Sequence, residues 1–128
     1  MLNFDYINNV GSDMSAKAIK NFIGQLETAK YDLERFQTRF EQDPANALSW
    51  GLGAFQNAAR RKVLIDTIAA LSAEGSTVEH VCRSLRNRLM NKSRWPAQST
   101  SPTANLMEQY ELAALTEAVE YLESSEQD

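Results

Sequence analysis

Seven apolar side chains, Ile19, Phe22, Leu26, Ala29, Leu33, Phe36 and Phe40, follow one another at alternating steps of three and four residues. At 3.6 residues per turn this spacing draws one narrow apolar stripe along a helix, the seam of a bundle or coiled coil. A stripe with that period cannot sit on one face of a strand, where the period is two. The charged residues of the same stretch (Lys20, Glu27, Lys30, Asp32, Glu34, Arg35, Arg39) fall on its other faces. The spacing predicts a helix over 13–42 with Ser12 or Asp13 at its start. A seam this strict can be filled by the rest of the chain or by a second copy, so a homo-oligomer, in the simplest case a dimer, is one expected partner state.

The remaining segments continue in the same way. Asp43-Pro44 is a stop and a restart, because proline at the first helical turn loses no hydrogen bond. A second helix is expected over 44–74, with Leu48, Leu52, Phe55, Ala59 and Val63 on one stripe and Leu64, Ile65, Ile68 and Leu71 on a broader face. A helix apolar over so wide an arc contacts two neighbours. Gly75 ends it, and Ser76-Thr77-Val78-Glu79 reads as a capping box for a third helix over 77–93. Trp95 to Pro102 is the one clear loop, and a fourth helix is expected over 103–123 from Leu112, Leu115, Val119 and Leu122. Residues 1–11 alternate weakly and are expected to form a strap on the helices. The fold class is therefore all-α, an antiparallel four-helix bundle-like domain with a long helical hairpin, in a single domain of 128 residues.

Charge is sorted along this frame. Residues 60–94 carry eight Lys or Arg and three acids; residues 95–128 carry seven acids and neither Lys nor Arg. The basic set is Arg60, Arg61 and Lys62 on the second helix and Arg83, Arg86, Arg88, Lys92 and Arg94 on the third. Such a face could track a phosphate backbone. It could equally pack against the acidic last helix, and the two readings differ in whether Arg83, Arg86 and Arg88 are exposed and unpaired.

The chemical inventory is thin. The single histidine, His80, and the single cysteine, Cys82, cannot build a zinc site, and two apart on a helix they face different ways. No Glu-x-x-His pair, no phosphate-binding glycine loop and no other cofactor motif is present, so no cofactor, no metal and no enzymatic activity is expected. One cysteine fits a reducing compartment. The chain lacks a signal-like start and a long apolar run; a cytoplasmic protein that does not enter membranes is expected.

The stretch Ile68-Ala69-Ala70-Leu71-Ser72-Ala73-Glu74-Gly75-Ser76-Thr77-Val78-Glu79-His80-Val81 resembles the first two helices of a resolvase-type helix-turn-helix. The resemblance implies DNA contact through a further recognition helix. The chain departs from that pattern after Leu85, where it runs on through Arg86-Asn87-Arg88-Leu89-Met90 with no glycine turn.

The function expected from these residues is a non-enzymatic helical module for protein–protein interaction, an adaptor or a regulatory or inhibitory subunit. Its contact residues would be Trp50 and Trp95, since tryptophan is frequent at interface hot spots, with Glu108, Glu117 and Glu120 meeting a basic partner. The alternative is a nucleic-acid-binding subunit that uses the basic residues of 60–94.

Overall fold

The computed structural model describes residues 13–94 and 101–126. Four helices account for nearly all of them: α1 (Asp13–Gln42), α2 (Ala47–Ser72), α3 (Val78–Arg94) and α4 (Pro102–Glu126), with a 3₁₀ turn at Pro44–Asn46 before α2. The expected strap over 1–11 and Trp95 lie outside the described residues.

Side-chain pairs give the directions. Phe36 meets Trp50 while Gln25 meets Arg60, so α1 and α2 run antiparallel. Lys92 meets Glu111 while Arg86 meets Glu123, so α3 and α4 do too. Phe55 meets Tyr110 and Arg60 meets Glu117, which sets α2 parallel to α4. The chain is thus two helical hairpins, and the contact of α2 with α4 joins them.

The core lies where the hairpins meet. Ile19, Phe22 and Leu26 of α1 pack with Val63, Leu64, Ile68 and Leu71 of α2. Val78, Val81, Cys82 and Leu85 of α3 and Ala114, Leu115, Ala118, Val119 and Leu122 of α4 complete it. Each large apolar side chain so buried contributes about 1.5–3 kcal/mol. The α1 seam is filled from within the chain over Ile19–Ala29 and then opens: Leu33 and Phe36 are half-buried and Phe40 is 50% exposed. On α2 the stripe behaves likewise, with Leu48 77% and Leu52 37% exposed. Ile65, expected on the apolar face, is also exposed. Both hairpin strips reach beyond the part of the bundle in which a third helix covers them.

Local chemistry moves two expected boundaries. The α-helix α2 ends at Ser72, not Glu74, because the chain turns through Gly75 at φ +77°, a left-handed conformation that glycine adopts without strain. A Cβ at Gly75 would meet nothing within 4 Å. Gly75→Ala should therefore cost about 1–2 kcal/mol through the backbone alone, and Gly75→Asn clearly less, measured as urea midpoints with unchanged slope.

The cap that follows is Thr77 rather than Ser76. The Thr77 hydroxyl accepts the His80 N–H at 3.1 Å and its carbonyl accepts the Val81 N–H at 3.0 Å. With histidine at the third helical position no reciprocal box closes, and Glu79 pairs with Arg83 instead. At α4, Ser101 is the cap, its hydroxyl accepting the Ala104 N–H, and Pro102 takes the first helical position. Finally, α3 runs unbroken from Val78 to Arg94. Among the described residues there is no turn after Leu85 at which a separate recognition helix could begin, so the likeness to a helix-turn-helix ends at helix-capping chemistry.

Candidate functional site

The basic residues of α2 and α3 mostly face acids. Arg60 reaches Glu117 at 4.0 Å, and Arg86 reaches Glu123 at 2.6 Å across the α3–α4 groove. Arg88 finds Asp66 on α2 at 3.6 Å, and Arg83 finds Glu79 one turn back on its own helix at 3.1 Å. Lys62 and Lys92 converge on one carboxylate, that of Glu111, at 3.0 and 3.4 Å. Of the eight bases only Arg61 and Arg94 have no acid within ion-pair distance among the described residues. Exposed ion pairs of this kind contribute about 0–1 kcal/mol each, but they fix which helices lie side by side.

Glu111 differs from the others. Its side chain is 8% exposed, and it stands where α2, α3 and α4 meet. Burial pushes its carboxyl up, the hydrogen bond and charge of Lys62 and then of Lys92 pull it down, and the lysines prevail: it is held below the ordinary glutamate value. Sequence reading singled out Glu108, Glu117 and Glu120 and passed over Glu111. The signal existed, since Glu111 stands at the head of the buried series Ala114, Leu115, Ala118, Val119 and Leu122 at three- and four-residue steps. Glu117 and Glu120 are exposed and Glu108 is half-buried.

At the far end of the α1–α2 hairpin, Trp50 is half-buried with its ring 6.4 Å from that of Phe36. Its indole N–H donates to the Asp43 carboxylate at 3.2 Å, and the Asn46 side chain donates to the same oxygen at 3.0 Å. These two bonds, Asn46 first, hold the Asp43 carboxyl below its usual range. They also anchor Trp50 to the turn between the helices, with the exposed Phe40, Leu48 and Leu52 on the same end of the hairpin.

A comparison with protein-family models, curated proteins and solved structures finds no significant match to this chain. What the arrangement can do must be read from its residues.

His80 is exposed and Cys82 is buried, its sulfur receiving an Arg86 N–H at 3.6 Å, so the two do not form a nucleophile–base pair. No group of three or more His, Cys, Asp or Glu among the described residues could hold a metal ion, and none of the described helices is long and apolar enough to cross a membrane.

A cleft of about 190 Å³ lies between α1, α2 and α4. Phe36, Gly53, Asn57, Arg60, Tyr110 and Ala114 contribute to its lining. Gly53 is what lets α1 and α2 close here: a Cβ on it would stand 3.0 Å from the Phe36 ring. Asn57 is 7% exposed, and its Nδ2 donates to the Ala29 carbonyl at 2.8 Å. A carbonyl can only accept, which fixes the orientation of this amide. Its Oδ1 is left without a hydrogen bond, as is the buried Nε of Arg60 one turn along α2.

Proposed function

We propose that the chain is a non-enzymatic helical module for protein–protein interaction, an adaptor or a regulatory or inhibitory subunit, that acts in the cytoplasm and makes contact through the open end of the α1–α2 hairpin. The observation that carries this reading is that Phe40, Leu48 and Leu52 are all exposed at the end of the hairpin where Trp50 is anchored. Large exposed apolar side chains mark contact surfaces, and tryptophan is frequent at interface hot spots. The exposed acids of α4, Glu117 and Glu120, would lie on a polar rim and favour a basic partner.

The nucleic-acid reading stands second. Six of its eight residues already face acids, so a polyanion would have to displace Glu79, Asp66, Glu111, Glu117 and Glu123 to engage them. Binding to labelled DNA and RNA across a salt series separates the two readings, because phosphate contacts weaken steeply as salt rises.

The direct test uses a partner captured from an extract of the source cells by the purified full chain. Leu48→Asp, alone and with Phe40→Asp, should weaken that complex at least tenfold while leaving the helical content unchanged, since both side chains are largely exposed. Arg83→Gln with Arg86→Gln should leave it intact. The opposite pattern removes the hairpin end from consideration.

A further inference from the structure

The open end of the α1–α2 hairpin carries the inference furthest, and the inference rests on the reading of that end as a contact surface. One face of α2 runs Asp66, Lys62, Ala59, Phe55, Leu52 and Leu48 at steps of four, three, four, three and four. The other helices cover its first part. Arg88 of α3 reaches Asp66, Glu111 of α4 reaches Lys62, and the Tyr110 ring of α4 lies 6.0 Å from that of Phe55. The same face then runs on uncovered, with Leu52 37% and Leu48 77% exposed. The α1 seam ends in the same way at the exposed Phe40. Phe40 reaches α2 at Gly51, where its ring would stand 3.6 Å from an added Cβ. Gly51 is one turn from Leu48 and next to Leu52 in the chain, so the two uncovered stripes end on one part of the surface.

Charge and spacing select the occupant. Residues 44–59 contain no Asp, Glu, Lys or Arg. Two copies laid together through this stretch bring no like charges into contact, and the stretch offers a strongly charged partner nothing to pair with. The spacing is also self-complementary. Two leucines four residues apart match the same pair read in reverse, so a twofold axis passing between them sets Leu48 against Leu52 of the other copy and Leu52 against its Leu48. A stripe at steps of three and four is the pattern that a second helix fills.

We propose that two copies of this chain pair through the open end of the hairpin, α2 against α2 and antiparallel, with Phe40, Leu48 and Leu52 in the contact. The contact is the end of a hairpin and not its whole length, which puts it below the standard interface of about 800 Å² per partner. The pair is therefore weak and reversible, with a Kd on the order of 10–100 µM.

Sedimentation equilibrium of the purified full chain from about 1 to 500 µM should show the mass rising from that of one chain towards that of two. Leu48→Asp should weaken the pairing at least tenfold. The helix itself tolerates that change, because position 48 is largely exposed and lies in the first turn of α2, where an acid suits the helix dipole. Tyr31→Asp, at an exposed site on α1, should leave the pairing unchanged. Raising NaCl from about 50 to 500 mM should not weaken it, since no ion pair holds it. The mass of one chain at every concentration, pairing that survives Leu48→Asp, or pairing that salt dissolves overturns the proposal. The broader reading fails separately. A chain that stays single while Leu48→Asp still releases the captured partner overturns the pairing alone. Pairing that Leu48→Asp abolishes while the captured partner stays bound upholds it and removes the hairpin end as the partner's site.

Discussion

Phe22→Ala is expected to remove about 3–5 kcal/mol of stability, a large share of the roughly 5–15 kcal/mol that a folded domain possesses. Phe22 is 1% exposed and lies where α1 faces both other long helices. Its neighbours include Val63 and Leu64 from α2 and Ala114 and Ala118 from α4. The two alanines are too short to reach into the space a phenyl ring vacates, so the cavity would stay largely open and the cavity cost would be felt in full. The edge of its ring also meets Tyr121 at a centroid distance of 5.1 Å, a T-shaped pair worth about 0.5–1.5 kcal/mol beyond the area it buries. Phe22→Leu should cost distinctly less than Phe22→Ala. A double-mutant cycle with Tyr121→Leu should recover the aromatic coupling. Urea midpoints at constant slope measure each of these variants, and a loss below 1 kcal/mol for Phe22→Ala would mean that the hairpins are not docked as described.

The second large effect belongs to Glu111. Glu111→Gln keeps the volume but leaves Lys62 and Lys92 facing each other with no anion between them. Removing one partner of a fully buried charge cluster costs about 3–5 kcal/mol. Lys62 is more than half exposed here and Lys92 about a third, so solvent relieves much of the repulsion, and about 1–3 kcal/mol is expected. The dependence on pH has a definite sign. The folded carboxyl titrates below its unfolded value; the charged form therefore stabilises the fold above the unfolded pKa near ~4.3, and that contribution is lost as the pH falls through the folded pKa. The gap between wild type and Glu111→Gln should be constant from neutral pH down to about 5, begin to narrow as the pH passes the unfolded value, and close as it falls through the folded one. Exchanging all three residues for Met should come within about 1 kcal/mol of wild type, since a whole buried ionic cluster often gives way to apolar packing at little cost. A gap that widens in acid would overturn this account of the cluster.

The four helices were legible because their information is local and repeated. The stripe from Ile19 to Phe40 and the stop at Asp43-Pro44 predict α1 over the residues it occupies. The end of α2 was overrun by two residues because Ala73 and Glu74 favour a helix, while the positive φ at Gly75 requires the chain to leave it earlier. Ser76 and Thr77 are adjacent hydroxyls of nearly equal capping strength, and the packing that buries Ser76 leaves the work to Thr77. That the basic segment could meet the acidic last helix was one of two readings its charges left open, and Arg60, Lys62, Arg86 and Lys92 do meet it. Which residues would pair was not, because Arg88 with Asp66 and Lys62 with Glu111 depend on the rotation of whole helices.

Glu111 was passed over for a related reason. On α4 the stripe was read from its leucines, which placed Leu112 on it, whereas the alanines at 114 and 118 shift the buried face by one residue. The cleft had no sequence signal beyond Gly53 as a soft point, since it exists only where three helices converge and no one of them encodes it.

The parallel contact between α2 and α4 sets an order in time. Within each hairpin, partners are joined by short links, and the entropy lost in bringing them together is small. Lys62 and Glu111, by contrast, are 49 positions apart, and their meeting closes a loop that contains all of α3. Such closures come late in helical proteins, after local pairs have formed. The lysine pair on Glu111 thus acts as a latch set after the two hairpins have each zipped up, and a newly made chain reaches its final form only once α4 has been synthesised and returned to lie along α2.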